Sequence, residues 1–388
     1  MKRVGVLTYI HTNNYGAELQ AFALHNKLRD MGYDATLVDL YRPMNREYVE
    51  TGRFAPIFEF GDKRDRLQRI NRAVYSVITK LVGCFFRRRR VVREGNFARF
   101  YDDYNHLSEL THYNFDSLYE NEVESTYTHY IVGSDQVWSF VRPFSPEPYF
   151  LTFAKLRVKR ISYAASIGHA VLPRGVTKLY EEWISKFDSV SMREREGVDI
   201  VTSLLGREVD LVLDPTLLFR RSEWLSRLNV EARSGRGYVL VYLLMSSPSS
   251  IGLAKRIAKQ MGLEVKVLVP NYWSPYLFVT GCEFIYTAGP REFVELMEGA
   301  EFVVTNSFHG AAFAINFNIP FIATPRRSSR VLSRFNSLLE LLELRERLVF
   351  DSVEFENLPS LEVDFGVANS TLERERERSL SYLRDALQ

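Results

Sequence analysis

The run Phe302-Val303-Val304-Thr305-Asn306-Ser307-Phe308-His309-Gly310-Ala311-Ala312-Phe313-Ala314 puts a histidine where a buried strand turns through a polar corner into an apolar helix. A helix N-terminus leaves backbone N–H groups unpaired and carries the positive end of the helix dipole, so such a corner favours an anion. His309 adds a group that can give a proton or a hydrogen bond. With the amides at Gly310 and Ala311 it predicts a phosphate cradle, and so a phosphorylated substrate.

Other corners have the same form. Val4 to Tyr9 reads as an apolar strand ending in the amide-rich loop His11-Thr12-Asn13-Asn14-Tyr15-Gly16, which suits hydrogen bonds to a polyol and equally suits a plain turn. Tyr130 to Gly133 leads into Ser134-Asp135-Gln136-Val137-Trp138, Arg160 to Ala164 leads into Ala165-Ser166-Ile167-Gly168-His169, and Arg193 ends the strand from Ser189 to Met192. Small and polar residues just past buried strands are where open α/β sheets hold ligands. Asn13, Asn14 and Gln20, with Asp135 and Gln136 opposite them, offer mixed donors and acceptors for a hexose; Tyr15 or Trp138 offers a ring to stack on its face. Asp135 is also a candidate base for an attacking hydroxyl, although a carboxylate at a strand end is often only a cap.

The frame that holds these corners is legible in the hydrophobic periodicity. Ala21, Leu24, Leu28 and Met31 share a helix face that closes at Gly32, and Ala35 to Leu40 completes a βαβ unit, the start of a doubly wound α/β domain. Asp62 to about Tyr104 reads as a basic amphipathic helical insertion carrying Arg87 to Arg90. The Ser/Gly/Arg-rich stretch from Arg233 to Gly237 is a boundary loop, after which strands at Tyr238, Val265, Glu283, Glu301 and Pro320 alternate with helices. This divides the chain into domains at 1–232 and 233–388 that form a cleft. An amphipathic segment from Leu372 to Leu387 is placed to pack back across the junction.

Composition narrows the field. In 388 residues, Lys and Arg number 50 against 48 Asp and Glu, a net charge of +2 that demands no nucleic acid. Cys84 and Cys282 stand far apart without ligand spacing, which argues against a disulfide scaffold or a structural metal and suits a cytoplasmic setting. The chain has no Walker loop, no G-x-G-x-x-G after a strand, no H-E-x-x-H and no Asp-x-Asp. Ala164-Ala165-Ser166-Ile167-Gly168 is only faintly like a nucleophile elbow.

Taken in order, Asn13-Asn14-Tyr15-Gly16-Ala17-Glu18-Leu19-Gln20-Ala21, Val132-Gly133-Ser134-Asp135-Gln136-Val137-Trp138, Ile161 to Gly168, Ser191-Met192-Arg193-Glu194, Val212-Leu213-Asp214-Pro215-Thr216 and Thr305-Asn306-Ser307-Phe308-His309-Gly310 resemble the polysaccharide pyruvyl transferase family. The blocks span about residues 3 to 325. The resemblance implies two Rossmann-like domains facing a cleft, similar to B-type glycosyltransferases, with 1–232 on the acceptor side and 233–388 on the donor-phosphate side. It implies transfer of pyruvate from phosphoenolpyruvate, as donor substrate and with no further cofactor, to a sugar of an envelope or capsular polysaccharide precursor.

Many members of that family carry serine-x-arginine-x-histidine-glycine where this chain has Thr305-Asn306-Ser307-Phe308-His309-Gly310. His309 and Gly310 carry over; the arginine position is Ser307. The expected replacements for neutralising the donor are Arg193 and the run Arg326-Arg327-Ser328-Ser329-Arg330, the latter equally readable as a solvated loop. The basic insertion suggests peripheral contact with the inner face of a membrane and a lipid-linked acceptor. Two other readings stay open: a B-type glycosyltransferase using a nucleotide sugar, and a non-catalytic carbohydrate-binding assembly protein.

Overall fold

The computed structural model describes residues 2–42, 57, 86–121, 126–232, 235, 237–269, 279–327, 332–350 and 358–388. Its first sheet is parallel, in the order β3-β2-β1-β4-β5, built from β1 (Arg3–Leu7), β2 (Asp34–Leu40), β3 (Leu107–His112), β4 (His129–Val132) and β5 (Lys159–Ser162). A short parallel pair, β6 (Ser191–Met192) and β7 (Asp210–Leu211), continues beyond β5 through bridges from Ile161 to Ser189 and from Ala165 to Met192. The second sheet repeats the pattern as β10-β9-β8-β11-β12, from β8 (Tyr238–Tyr242), β9 (Glu264–Leu268), β10 (Glu283–Ile285), β11 (Ala300–Thr305) and β12 (Phe321–Ala323).

Each sheet runs outward from a central strand and then reverses, which creates switch points between β1 and β4 and between β8 and β11. Crevices at the carboxyl ends of such strand pairs are where doubly wound sheets bind ligands. The central strands are continuous apolar runs because helices cover both faces: β8 reads YVLVY and all five residues are buried. β3, read from the sequence as no strand at all, is LSELTH and mostly accessible. It is an edge strand, and polar edges protect a sheet from pairing with other chains, so the apolar alternation that announces a strand is missing.

The helices are α1 (Tyr15–Asp30), α2 (residues 86–104), α3 (Asp116–Asn121), α4 (Arg174–Ile184), α5 (Arg195–Leu205), α6 (Arg221–Arg227), α7 (Pro248–Met261), α8 (Pro290–Glu298), α9 (Phe308–Asn316), α10 (Leu332–Leu341) and α11 (Gly366–Ala386). Two of them tie the domains together. α11 packs Leu383, Ala386 and Leu387 against Val4 and Val6 under the first sheet. Its Ser379 hydroxyl accepts from the Leu213 amide at 3.0 Å, and Arg376 donates to the Leu217 carbonyl and to Asn316 Oδ1, each at 2.7 Å.

α2 is the described part of the basic insertion; residues 62–85 lie outside the described residues. Arg87 to Arg90 are exposed, while Phe97 and Phe100 are buried. Asn96 Nδ2 donates to the Thr287 carbonyl of the second domain at 2.8 Å, and Tyr104 donates to the Leu228 carbonyl of the first at 3.2 Å. The insertion is thus a strut across the junction as well as a charged surface. Among the described residues no helix is long and apolar enough to cross a membrane.

Candidate active site

The corners of β4, β6, β7 and β11 converge on one buried cluster of charge. Arg193 leaves the end of β6 with only 1% of its side chain exposed. Asp214, just past β7, caps the turn Pro215–Leu217: its Oδ1 accepts from the Thr216 amide at 3.0 Å and hydroxyl at 2.7 Å. Its Oδ2 accepts from Arg193 Nη1 at 2.5 Å and from the Ser134 hydroxyl at 3.2 Å. Asp135 Oδ1 stands 3.6 Å from Arg193 Nη2, and Glu194 Oε2 3.9 Å from Arg193 Nε. Glu194 turns its other oxygen to the Ser166 hydroxyl at 2.7 Å and the Gly168 amide at 3.3 Å. His309 Nε2 completes the group, 3.6 Å from Asp214 Oδ2, longer than a hydrogen bond.

Electrostatics fix the charge states of this cluster. Burial by itself would raise the Asp214 carboxyl, but Arg193 and His309 beside it outweigh burial and hold it well below the carboxylate range. The same contest, with Arg193 the main opposing charge, lowers Asp135. Burial would lower Arg193, and the charges of Asp214, Asp135 and Glu194 more than restore it. Arg193 is therefore a permanent cation ringed by carboxylates. Asp135 has a φ of 69°, in the left-handed region that costs a non-glycine residue energy, and such strain collects where geometry serves function.

Hydrogen bonding inside the cluster is incomplete. His309 Nε2, Arg193 Nε and Nη2, and Glu194 Oε2 are buried without hydrogen-bond partners. Native interiors seldom leave such atoms unpaired, and several on one spot mark a place for a polar ligand.

His309 is seated by the other domain. Ser307 caps α9 by accepting from the Gly310 amide at 3.3 Å, and Asn14 caps α1 by accepting from Gly16 at 3.1 Å and Ala17 at 3.4 Å. The two helix starts meet, and a Cβ added at Gly16 would fall 2.0 Å from His309 Nδ1. Only a residue without a side chain lets α1 back the imidazole.

The structure redistributes the residues singled out from sequence. His309, Arg193 and Asp135 are brought together as described. Tyr15 and Trp138 cannot offer a face to a sugar: both are fully buried, Tyr15 stacked on Phe293 and Trp138 on Phe150, with ring centroids 5.3 and 5.0 Å apart. Gln20 is likewise buried, its amide donating to Thr8 and accepting from the Ser134 amide at 3.0 Å, so it fastens β1's loop to β4's corner. Asn14 is spent on its cap. Asn13 is exposed, and its carbonyl accepts from Arg93 at 2.9 Å. Gln136 is partly buried and accepts from Arg142 at 3.2 Å.

The phosphate cradle also changes. The Gly310 amide is taken by Ser307's hydroxyl and that of Ala311 by Ser307's carbonyl at 3.1 Å, so neither is left for an anion. Arg326 and Arg327 are exposed; Arg326 reaches the Ser246 carbonyl at 3.4 Å and Arg327 lies over Phe350. Arg330 lies outside the described residues.

Sequence reasoning passed over Arg334. It sits in α10, 7% exposed, and among the described residues makes no hydrogen bond or ion pair; its guanidinium lies over Phe308 at 5.9 Å, where Arg193's lies at 4.9 Å. Burial, with Arg193's charge adding to it, pulls Arg334 down to about 10. No signal in its neighbourhood, Ser333-Arg334-Phe335, separates it from an ordinary surface arginine. Also unforeseen, the carboxyl edge of the first sheet carries exposed rings: Tyr41 and Tyr113 stack 5.6 Å apart, and His11 stacks on Tyr41 at 4.2 Å.

A separate depression of about 490 Å³, lined by Arg221, Tyr238, Lys266 and Glu301, lies at the amino ends of β8, β9 and β11. That is the wrong end of a doubly wound sheet for a ligand.

Two Rossmann-like domains meeting over a cleft, with the buried cluster at their facing switch points, define the B-type glycosyltransferase architecture. Solved structures of the same fold include the UDP-GlcNAc 2-epimerase of Methanocaldococcus jannaschii in complex with UDP-GlcNAc and UDP. That structure is 11% identical at a TM-score of 0.52, covering 98% of this chain and 100% of that one. A second structure of that enzyme is 10% identical at a TM-score of 0.50, covering 97% and 92%. The heptosyltransferase WaaC of E. coli with ADP is 11% identical at a TM-score of 0.38, covering 97% and 99%. No curated protein matches the sequence. A family model, Polysaccharide pyruvyl transferase, matches residues 14–328, and the chain belongs to that family.

Proposed function

We propose that the protein transfers pyruvate from phosphoenolpyruvate to a saccharide of an envelope or capsular polysaccharide precursor and closes a pyruvyl ketal. The observation that carries this reading is the buried, unpartnered His309 Nε2 standing 3.6 Å from Asp214, the carboxylate that also holds Arg193, at the junction of the domains. In this scheme His309 gives its proton to the methylene carbon of the donor, and C2 becomes oxocarbenium-like. A sugar hydroxyl adds to C2, and its proton returns to the imidazole. Phosphate then leaves, a second hydroxyl closes the ketal, and that hydroxyl's proton departs with the phosphate.

Asp135, held ionised by Arg193, is a weak base, so orienting the attacking hydroxyl suits it better than removing its proton. The acceptor lies toward the exposed rings of Tyr41 and Tyr113, which supply the sugar-stacking surface that Tyr15 and Trp138 lack. Arg87 to Arg90 favour an anionic membrane carrying a lipid-linked acceptor; equal pelleting with anionic and neutral vesicles would remove that element.

The test is phosphate release from phosphoenolpyruvate with a panel of hexosides and lipid-linked glycans, with UDP- and GDP-sugars as competing donors. The expected result is acceptor-dependent release, a ketal mass gain on the sugar, and a loss of about 10²- to 10⁴-fold in His309→Ala. Absence of release with every acceptor, together with turnover or stabilisation by a nucleotide sugar alone, would overturn the proposal.

A further inference from the structure

We infer that Arg334 receives the anionic group of the donor, supplying from α10 the cation that the family motif places where this chain has Ser307. The identity of the donor rests on the function proposed above; the requirement for an anion does not.

Arg193 cannot fill the role alone. Its Nη1 is bonded to Asp214, and Asp135 and Glu194 flank its other nitrogens at 3.6 and 3.9 Å. Three carboxylates around one guanidinium leave little net positive potential for a ligand that carries both a phosphate and a carboxylate. Ser307 offers no charge, and its hydroxyl is spent on the cap of α9.

Arg334 is not paired in this way; the charges of Asp135, Glu194 and Asp214 reach it only from beyond ion-pair range. It is buried to the same degree, has no carboxylate within ion-pair range among the described residues, and leaves Nε unpaired. A buried guanidinium without a partner is unfavourable and is kept where a ligand completes it. Its place is the reaction site: it shares the Phe308 ring with Arg193, so the two guanidinium carbons are no farther apart than the sum of their distances to that ring. Phe308 precedes His309. An anion on Arg334 therefore lies in the same charge cluster as the imidazole and Arg193, since Asp135 feels the charges of Arg193, His309 and Arg334 together. The position is supplied by tertiary packing: α10 is set against the first domain, where the Arg195 amide donates to the Ser337 hydroxyl at 3.1 Å.

The experiment compares wild type, Arg334→Met, Arg334→Lys and, as a surface control, Arg374→Met. Thermal unfolding is read with inorganic phosphate, pyrophosphate and phosphoenolpyruvate as separate probes, and steady-state kinetics are read where turnover is seen. Arg334→Met keeps the apolar stem, so the expected result is an unligated Tm at or above wild type, loss of the anion-induced rise in Tm, and a KM for phosphoenolpyruvate raised about 10- to 100-fold. The acceptor KM should stay unchanged, with partial recovery in Arg334→Lys.

Wild-type stabilisation by phosphoenolpyruvate that persists in Arg334→Met would overturn the inference and leave the function standing. Stabilisation by phosphate or pyrophosphate but not phosphoenolpyruvate, lost in Arg334→Met, would uphold the anion site and overturn the proposed donor. No stabilisation of wild type by any of the three anions would overturn the site.

Discussion

Replacing Gly16 with alanine should disable the site without touching a group that does chemistry. The added Cβ would stand 2.0 Å from His309 Nδ1, 2.4 Å from its Cγ and 2.8 Å from its Cβ. Ordinary carbon contacts begin near 3.4 Å, so the imidazole must withdraw by about 1.4 Å. Gly16 lies in the first turn of α1 with no left-handed φ, so alanine is acceptable to the backbone and gains about 1 kcal/mol of helix propensity. Crowding against the ring opposes this by about 1–3 kcal/mol, leaving a net stability change within about 2 kcal/mol.

The effect on turnover is much larger, because a misplacement of about 1 Å in a catalytic group costs on the order of 100-fold. The assay is phosphate release together with thermal unfolding, in Gly16→Ala, His309→Ala and the double variant. The double variant removes the imidazole that the methyl group strikes, so its stability should exceed the sum of the single effects by about 1–2 kcal/mol. A Gly16→Ala protein that turns over within threefold of wild type, or a coupling near zero, would refute the claim that α1 seats His309.

Two further outcomes follow from buried groups outside the reaction. Arg376→Ala should destabilise the protein by about 2–4 kcal/mol in chemical denaturation, since it orphans the Leu217 carbonyl and Asn316 Oδ1 where α11, α9 and the turn bearing Asp214 meet. Stability should also fall on acidification below about pH 6.5. Burial, with the charge of His106 adding to it, lowers His25 to about 3, and burial with Lys2 lowers His129 to about 4, so the unfolded chain takes up protons that the folded one refuses. The stabilisation is complete above the unfolded value near 6.5 and is lost as pH falls toward the folded values, by about 1.4 kcal/mol per group at pH 5.5. His25→Gln should flatten this acid slope, measured as denaturant midpoint against pH; an unchanged slope would contradict the assignment.

Much of the frame was legible because it is local. Strands β1, β4, β8 and β11 announce themselves as short apolar runs, and the corners after them as small and polar residues. The motif blocks ran in one order, so they pointed to the family as a set. What escaped was what local pattern does not encode. β3 is polar because it is an edge. Tyr15 and Trp138 sit in motif blocks beside polar residues, and nothing in their own segments distinguishes a ring meant for a sugar from one meant for the core.

From the sequence alone it follows that a histidine stands at the start of a helix after a buried strand, because chain neighbours set backbone turns and caps. The sequence likewise places Arg193, Asp135 and Asp214 each at a strand end. Tertiary structure decided the rest: that Asp214 takes up Arg193's charge, that Gly16 of one domain backs His309 of the other, and that Arg334 comes to the same ring as Arg193. These pairings join residues from separate sheets and helices. They exist only once two doubly wound sheets have set their strand order and turned their switch points toward each other.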